Sequence, residues 1–273
     1  MAGTSMKTNS SSKLTIHFDT FVDEFDSSNF SVTEPKVDKD GRTQFTLLYN
    51  GGRVNLETPW FYLPFAPSRF SETSSYTMRL TDRPVRMEGT SDEDYEVAKE
   101  RSVQFFSNLC ESLTDTLLDY GVTHSEAIFG EEYERPVVKA LFTNAVKKND
   151  YGYFLNGKLR GSYDDQDTPN VELYVQHSSG KYSKERTSTF DELIEALPKS
   201  SRAKAIIFPT LWAVSGKFGI SWNVRQILVK KRVQRSFSGF AFSDSLEEAA
   251  TGEAETYEDE ASEEDGDELE LED

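Results

Sequence analysis

The chain has little of several things, and each scarcity excludes a class of protein. Cys110 is the only cysteine among 273 residues, which excludes an intramolecular disulfide and a cysteine-based metal site. No apolar run approaches the roughly 18 residues of a membrane-spanning helix. Residues 1–12 are polar and serine-rich, without the apolar core of a signal peptide. We therefore expect a soluble intracellular protein that is neither secreted nor associated with a membrane.

Catalytic signals are equally scarce. His17, His124 and His177 lie far apart and lack metal-ligand spacing. The chain has no Walker loop, no G-x-G-x-x-G and no G-x-S-x-G. The acidic segment 164–170 lacks the glycine and the terminal Glu of a calcium loop, so we interpret it as a solvated turn. The sequence therefore predicts a protein that is not an enzyme, with no metal and no cofactor.

Acidic charge is abundant but unevenly placed. The chain carries 30 Lys or Arg and 48 Asp or Glu, a net charge of −18. Residues 244–273 hold sixteen of the acids and no base, so subtracting them leaves 32 acids against 30 bases in residues 1–243. A block of like charge with few large apolar residues does not fold alone. We predict a disordered acidic tail at 244–273 behind a nearly neutral body.

The segment that precedes the tail has the opposite charge. Residues 199–241 contain nine Lys or Arg and no acid. Aromatic residues are interleaved with these cations, namely Phe208, Trp212, Phe218, Trp222, Phe237 and Phe240. Cations that follow phosphates and rings that stack on bases are what a single-stranded nucleic acid requires. The pattern predicts a polyanion-binding surface and, in the acidic tail of the same chain, a competitor that can occupy this surface or leave it.

Strand patterns dominate the rest of the chain. Segments with strand-like composition or alternation are 14–18, 44–49, 53–56, 135–142, 171–175, 204–213 and 219–233. Hairpin turns are predicted at Asn50-Gly51-Gly52, at Asn156-Gly157 and at 215–217. One long helix is predicted over 91–120 with Gly121 as its stop, and a short helix over 189–197.

These elements predict a mainly β (β-rich α+β) protein. The specific expectation is an elaborated, OB-like antiparallel barrel with one long inserted helix. The predicted organisation is a flexible leader at 1–12, one OB-like domain at 13–243, and the acidic tail at 244–273.

The candidate binding residues are grouped near the end of the predicted domain. Trp212, Phe218 and Trp222 are predicted to offer stacking faces, with Trp60 and Phe61 of the proline-flanked loop 60–67 as a second platform. The candidate phosphate ligands are Lys217, Arg225, Lys230, Lys231, Arg232 and Arg235. Gly216 and Gly219 would allow a backbone to approach closely. For each aromatic residue a place in the core is the alternative, and the loop 60–67 is equally well read as a structural plug.

Two short segments are distinctive. The first is Trp212-Ala213-Val214-Ser215-Gly216-Lys217-Phe218-Gly219-Ile220-Ser221-Trp222-Asn223-Val224-Arg225-Gln226, and the second is the proline-flanked stretch from Pro59-Trp60 to Pro64-Phe65. These segments and the general layout resemble a viral family of single-stranded-DNA-binding proteins, from large DNA viruses and related phages, and Gly239 to Asp244 resembles that family's closing element. The resemblance implies an OB-fold protein that coats single-stranded DNA in replication or recombination, in the host cytoplasm or nucleus.

The acidic tail resembles the tails of replicative single-strand-binding proteins from bacteria and short-tailed phages, which recruit polymerase, helicase or primase and compete with DNA. This chain ends in Leu269-Glu270-Leu271-Glu272-Asp273, without the terminal aromatic residue that several of those families have. A homo-oligomer is a further expected form of the protein. The principal alternative is a structural or chaperone-like protein whose acidic tail binds basic partners. A β-barrel enzyme would need a carboxylate pair or metal cluster formed only by the fold.

Overall fold

One hairpin forms the centre of the structure, a computed structural model that describes residues 14–37, 43–86, 89–177 and 180–230. Its strands, Arg202–Val214 and Lys217–Lys230, pair antiparallel from Arg202↔Lys230 to Val214↔Lys217. Ser215 (φ 51°) and Gly216 (φ 71°) both adopt left-handed backbone at the turn. Two consecutive left-handed residues make the two-residue turn whose twist matches paired strands. The predicted hairpin is confirmed.

The described ranges hold fifteen strands and six α-helices. The strands are β1 (Leu14–Ile16), β2 (Phe30–Val32), β3 (Lys36–Val37), β4 (Thr43–Gln44), β5 (Leu47–Tyr49), β6 (Gly52–Glu57), β7 (Phe61–Tyr62), β8 (Tyr76–Thr81), β9 (Phe142–Asn144), β10 (Val146–Asn149), β11 (Gly152–Leu159), β12 (Glu172–Gln176), β13 (Tyr182–Glu185), β14 (Arg202–Val214) and β15 (Lys217–Lys230). The helices are α1 (Phe18–Asp23), α2 (Asp92–Ser107), α3 (Leu113–Thr123), α4 (Ser125–Phe129), α5 (Arg135–Leu141) and α6 (Phe190–Ala196). A 3-10 turn (Ser27–Asn29) follows α1, and a π-helical turn (Asn108–Ser112) joins α2 to α3.

A mixed sheet of thirteen strands gathers around β15, and β3 and β4 form a separate pair. Its main path runs β10-β11-β15-β14-β6-β5-β2. One edge of β15 pairs with β14, and β9, β11 and β12 pair with it in parallel. The β-rich prediction is confirmed. The wholly antiparallel arrangement is wrong, because four of the pairings within the described ranges are parallel, and the sheet does not close into a barrel.

A β-bulge divides β15 into two halves. Ile206 pairs with Gln226 and Ile207 pairs with Val224, which leaves Arg225 as the extra residue. Before the bulge every residue from 218 to 224 is buried, whereas after it only the odd-numbered Ile227 and Val229 are buried. An extra residue reverses the alternation of a strand. The bulge therefore places Ile227 and Val229 in the core that the even-numbered Trp222 and Val224 join before it.

The long helical segment lies where the sequence predicts it. Ser91 caps α2 through its hydroxyl, which accepts a hydrogen bond from the amide of Asp94, and the sequence Ser91-Asp92-Glu93-Asp94 has the pattern of a capping box. Apolar residues of α2, the π-turn and α3 are buried in the core: Phe105, Phe106, Leu109, Leu113 and Leu117. Gly121 is not the stop, because α3 continues to Thr123. A Cβ at Gly121 would lie 2.8 Å from Val138, so this glycine serves close packing.

Two local predictions are wrong. Residues 135–141 form the helix α5 rather than a strand, with Pro136 in the first turn, where a missing amide costs nothing. Asn156-Gly157 lies inside β11, and the turn falls between Asn149 and Gly152 instead. A Cβ at Gly157 would meet Val224 at 2.8 Å, so that glycine lets β11 pack closely across the core.

All described residues belong to one compact unit. The predicted leader 1–12, the acidic tail 244–273 and the end of the predicted domain at residue 243 lie outside the described residues. The predicted boundaries of the 13–243 domain stay a prediction.

Candidate nucleic-acid interface

The solvent side of the β14–β15 hairpin is the surface of interest, and we call it the outer face. Ala203, Ala205 and Ile207 of β14 point into the core. The residues between and beyond them are partly exposed and define this face on β14: Arg202, Lys204, Ile206, Phe208, Thr210 and Trp212. In the register their partners on β15 include Lys230, Leu228, Gln226 and Asn223. The face thus combines cations with apolar and aromatic side chains.

The bulge places a cation over an aromatic ring at the middle of the outer face. The Arg225 guanidinium carbon lies 5.0 Å from the centre of the Phe208 ring. Beside this pair is a cleft of about 270 Å³, which Thr210 and, from β6, Arg53 also line. Within the described ranges Arg225 makes no ion pair with an acid. Its donors are therefore open to an anion, and Phe208 holds the guanidinium in place.

Two more cations lie at Asn223, two residues before Arg225 on β15. Lys158 of β11 lies opposite Asn223 of β15. The Nε of Arg160 donates a hydrogen bond to Asn223 Oδ1 at 2.5 Å, and Asn223 Nδ2 donates to Thr210 Oγ1 at 2.8 Å. A buried amide thus fixes Arg160 on the outer face.

The charge of this group is not neutralised by a neighbour. Burial lowers the pKa of Lys158, and the positive charge of Arg160 lowers it further. Neither Lys158 nor Arg160 forms an ion pair with an acid in the part of the chain that the structure describes. Cations held together without acids form a site that a phosphate group stabilises.

The other end of the outer face is apolar. A cleft of about 390 Å³ is lined by Tyr174 and Tyr182 together with Ile206 and Leu228. Tyr182 is 60% exposed, so one face of its ring is open. Aromatic and aliphatic side chains around a cleft of this kind fit a flat base.

The cations at this apolar end are already paired. Glu57 forms ion pairs with Lys204 and His17, and Glu172 accepts hydrogen bonds from Lys184 at 2.6 Å and from Gln226. Burial raises the pKa of Glu57, but the hydrogen bonds from Lys204 and His17 outweigh it and leave that pKa lowered. In the described ranges Arg225, Lys158 and Arg160 therefore differ from Lys204 and Lys184 in having no ion pair with an acid, as does Lys230 at the end of β15.

Five of the predicted site residues are described and at least partly exposed. Trp212 is half-buried, with its ring covering Gly219, where a Cβ would meet it at 2.6 Å. Lys217 is exposed beside the turn, and Lys230 is partly exposed opposite Arg202. Trp60 and Arg225 are also partly exposed. Their role in binding DNA stays a prediction. Lys231, Arg232 and Arg235 lie outside the described residues.

Three predicted stacking residues are wrongly assigned. Phe218, Trp222 and Phe61 are each 0% exposed. Phe218 packs against the rings of Phe45 at 5.6 Å and Phe142 at 5.3 Å. Because their rings belong to the core, they cannot stack on a base, and the core alternative is the correct one.

The glycines flanking Phe218 serve the fold. Trp212 fills the space above Gly219, and Gly216 is needed for the left-handed turn. The space above Gly219 is therefore closed to the backbone of a ligand, whereas the space beside the exposed Gly216 is open.

Sequence reasoning missed most of the residues that the fold adds to the face. Phe208 appears in the sequence only as one of several interleaved aromatics. Lys158, Arg160, Tyr174 and Tyr182 come from other strands or their ends. Alternation in β11 and β12 places Lys158 and Tyr174 on the side away from the buried apolar residues, but no local pattern shows that they lie beside β15.

Other chemistry is not indicated in the described residues. No group of three or more His, Cys, Asp or Glu that could hold a metal ion occurs there. His17 pairs with Glu57, His124 lies 3.7 Å from Glu34, and His177 hydrogen-bonds Ser183. Within the same ranges no helix is long and apolar enough to cross a membrane.

No known protein family matches this sequence, and no curated protein matches it closely enough to count as a relative. Among solved structures, the single-stranded DNA-binding protein of bacteriophage Enc34 in complex with ssDNA is similar at 10% identity, with a TM-score of 0.33. That similarity covers 75% of this chain and 94% of the phage chain. The C-terminally truncated Enc34 protein is similar at 8% identity and a TM-score of 0.33, over 76% of this chain and 98% of its own.

Bacteriophage T7 gp2.5, a single-stranded DNA-binding protein, is similar at 10% identity with a TM-score of 0.37. The similarity covers 68% of this chain and 96% of gp2.5. At these scores the likeness to the phage proteins establishes no shared activity, and the residues of the outer face are what bear on function.

Proposed function

We propose that this protein binds single-stranded DNA on the outer face of the β14–β15 hairpin, as a non-catalytic coating protein of DNA replication or recombination. The observation that carries the proposal is the combination at the bulge. Arg225 lies over the half-exposed Phe208, and Lys158 and Arg160 lie at Asn223, two residues before it on β15. None of these three cations pairs with an acid in the described ranges. A polyanion with accessible planar groups is the ligand that this combination fits.

The proposed mechanism assigns different parts of the strand to different parts of the face. Phosphates lie against Arg225, Lys158 and Arg160, where the guanidinium forks provide parallel donors. Bases lie on Phe208 and in the cleft of Tyr174 and Tyr182, where stacking contributes roughly 1–3 kcal/mol per base. Stacking requires unpaired bases, so duplex DNA binds less well. In this proposal Trp212 and Trp60 provide further aromatic rings for stacking on bases.

The acidic tail is proposed to act on this same surface. Residues 244–273 contain sixteen acids and are joined to the basic segment by the chain itself. A tethered polyanion has a high effective concentration and competes even when each contact is weak. In this proposal the tail occupies the outer face when DNA is absent and binds replication proteins such as polymerase, helicase or primase when DNA displaces it.

The direct test is a salt-titrated binding measurement on the full chain. Fluorescence anisotropy with a labelled oligothymidylate should show binding that weakens with salt. A plot of the logarithm of the binding constant against the logarithm of the salt concentration should have a slope of about −2 or steeper, because three phosphate contacts contribute about 0.7 each. A duplex of the same length should bind more weakly. No binding at low salt, or equal binding of duplex and single strand, would overturn the proposal.

The same measurement separates the structural or chaperone-like alternative. Residues 91–134 carry twelve acids against two bases, so a second acidic surface is present in the folded part. A labelled basic protein in place of the oligonucleotide should bind weakly if the proposal is right. Strong binding of the basic protein together with no binding of DNA would favour the alternative.

A further inference from the structure

A second group of exposed aromatic and cationic side chains lies on β8, β11 and the loop 60–67. We call it the Arg79 platform, and it consists of Arg79, Phe65, Phe154 and Asn156. The Arg79 guanidinium carbon lies 4.6 Å from the centre of the Phe154 ring and 5.9 Å from that of Phe65. Phe65 is 58% exposed, an unusual exposure for a phenylalanine. An arginine between two rings is thus presented to solvent.

Arg79 is anchored but not neutralised. Its Nε donates a hydrogen bond to Asn156 Oδ1 at 3.1 Å. No acid forms an ion pair with Arg79 in the described ranges. A guanidinium has five donors, so the anchored Nε leaves the terminal nitrogens free to bind an oxyanion with two parallel hydrogen bonds.

The platform is continuous with the outer face through β11. Phe154, Asn156 and Lys158 alternate with buried residues along this strand, so all three point to the same side. Arg79 pairs with Asn156, and Lys158 pairs with Asn223 of the outer face. Two residues along a strand span about 7 Å, and the step to the next strand is about 5 Å. A single strand bound at Lys158 therefore reaches Arg79 within about one or two further nucleotides.

We infer that the Arg79 platform is a second contact for the same single strand, with a phosphate on Arg79 and a base on the exposed ring of Phe65. The inference rests on the proposed function, which it extends from the outer face to β8. The sequence points to the loop 60–67 as a platform through Trp60 and Phe61. The fold instead buries Phe61 and presents Phe65.

The test is the dependence of affinity on oligonucleotide length. Oligothymidylates of about 4 to about 16 nucleotides cover the usual site sizes for one such surface. For the full chain, affinity should rise with length up to a plateau. For Arg79→Ala the shortest strands should bind as tightly as to the wild type. For this variant the affinity should reach its plateau at a length one or two nucleotides shorter than for the wild type. The affinity at the plateau should be about fivefold to tenfold lower.

Further variants keep the test falsifiable. Phe65→Ala removes an exposed ring and should reproduce the earlier plateau with an unchanged melting temperature. Arg79→Lys should restore part of the affinity, because the charge remains and the fork is lost. The matched control is Arg101→Ala, which also removes an arginine near a phenylalanine ring but one that Asp19 and Asp23 neutralise. It should leave the length dependence unchanged.

The outcomes distinguish the two proposals. If the wild-type chain binds no single-stranded DNA at any length, the proposed function is wrong and this inference falls with it. If the wild type binds and Arg79→Ala matches it at every length, only the second contact is wrong. A uniform loss at every length would also contradict a second contact, since it would place Arg79 within the primary site.

Discussion

The cations around the bulge of the outer face are unpaired with any described acid, whereas the arginines of the helical region 91–134 and its neighbour α5 form ion pairs. In and next to the helical region, Arg101 is paired with Asp19 and Asp23, and Arg135 with Asp115 and Asp119. On the outer face, Arg225, Lys158 and Arg160 have no acid partner among the described residues. Neutralised arginines hold elements together, whereas cations gathered without acids repel one another unless an anion joins them. The contrast identifies where an anionic ligand would bind.

The largest expected effect concerns the boundary between the outer face and the core. Trp222→Ala should lower the free energy of unfolding by roughly 3–5 kcal/mol, because the ring is fully buried. Trp212→Ala should cost much less, because that ring is only half-buried. Thermal unfolding of both variants checks this. A small loss of unfolding free energy for Trp222→Ala would contradict its burial and would indicate an exposed ring, as a stacking role requires.

Trp222→Phe sharpens the same comparison. The indole nitrogen of Trp222 is buried and has no hydrogen-bond partner in the described structure. Replacement by Phe removes an unsatisfied donor along with some apolar volume, so we expect a far smaller loss of stability than for Ala.

The next effect tests whether unpaired and paired arginines differ in function. Arg225→Ala should weaken single-strand binding about tenfold and reduce the salt slope by about 1, as expected for one lost phosphate contact. The matched control Arg135→Ala should leave the affinity within about twofold, because its charge is already neutralised. Anisotropy titrations at several salt concentrations measure both. Equal effects of the two variants would remove the distinction between the outer face and the helical region.

A pH titration tests Lys158. Burial and, second to it, the charge of Arg160 lower the pKa of this lysine below its ordinary 10.5, whereas a bound phosphate favours the charged form. Affinity should be complete at neutral pH. It should fall as pH rises through the lowered pKa, before ordinary lysines titrate. The folding stability of the free protein changes in the opposite direction. It should rise with pH, because the cost of burying the charged form of Lys158 disappears when the lysine loses its proton. Lys158→Arg should abolish the early fall in affinity, and its persistence in that variant would exclude Lys158 as the cause.

The smallest expected effect is a gain. Glu57 pairs with Lys204 on the outer face, so Glu57→Gln frees that cation and removes a carboxylate that repels phosphate. Single-strand affinity should rise about twofold to fivefold, with some loss of stability. Glu96→Gln, which removes the partner of Lys99 in α2, is the matched control and should not change affinity. A loss of affinity in Glu57→Gln would show that the carboxylate supports the site.

Much of the local structure follows from the sequence alone. The Ser215-Gly216 turn, the cap at Ser91 and the short helix α6 depend on backbone preferences and hydrogen bonds between near neighbours, which a few residues determine. The segregation of acids into the tail and bases into residues 199–241 is a property of the sequence as well. These features predict the hairpin, the long helix and a basic surface near the end of the chain.

The composition of the proposed binding surface was decided by the tertiary structure. The bulge at Arg225 changes which side chains of β15 face the core, and it depends on pairing with Ile206 and Ile207 of another strand. Lys158 and Arg160 join the outer face only because β11 pairs with β15 in parallel. Aromatic residues are equally suited to a core and to a base-stacking surface, so only packing assigns Trp222 to the first and leaves Phe208 available for the second.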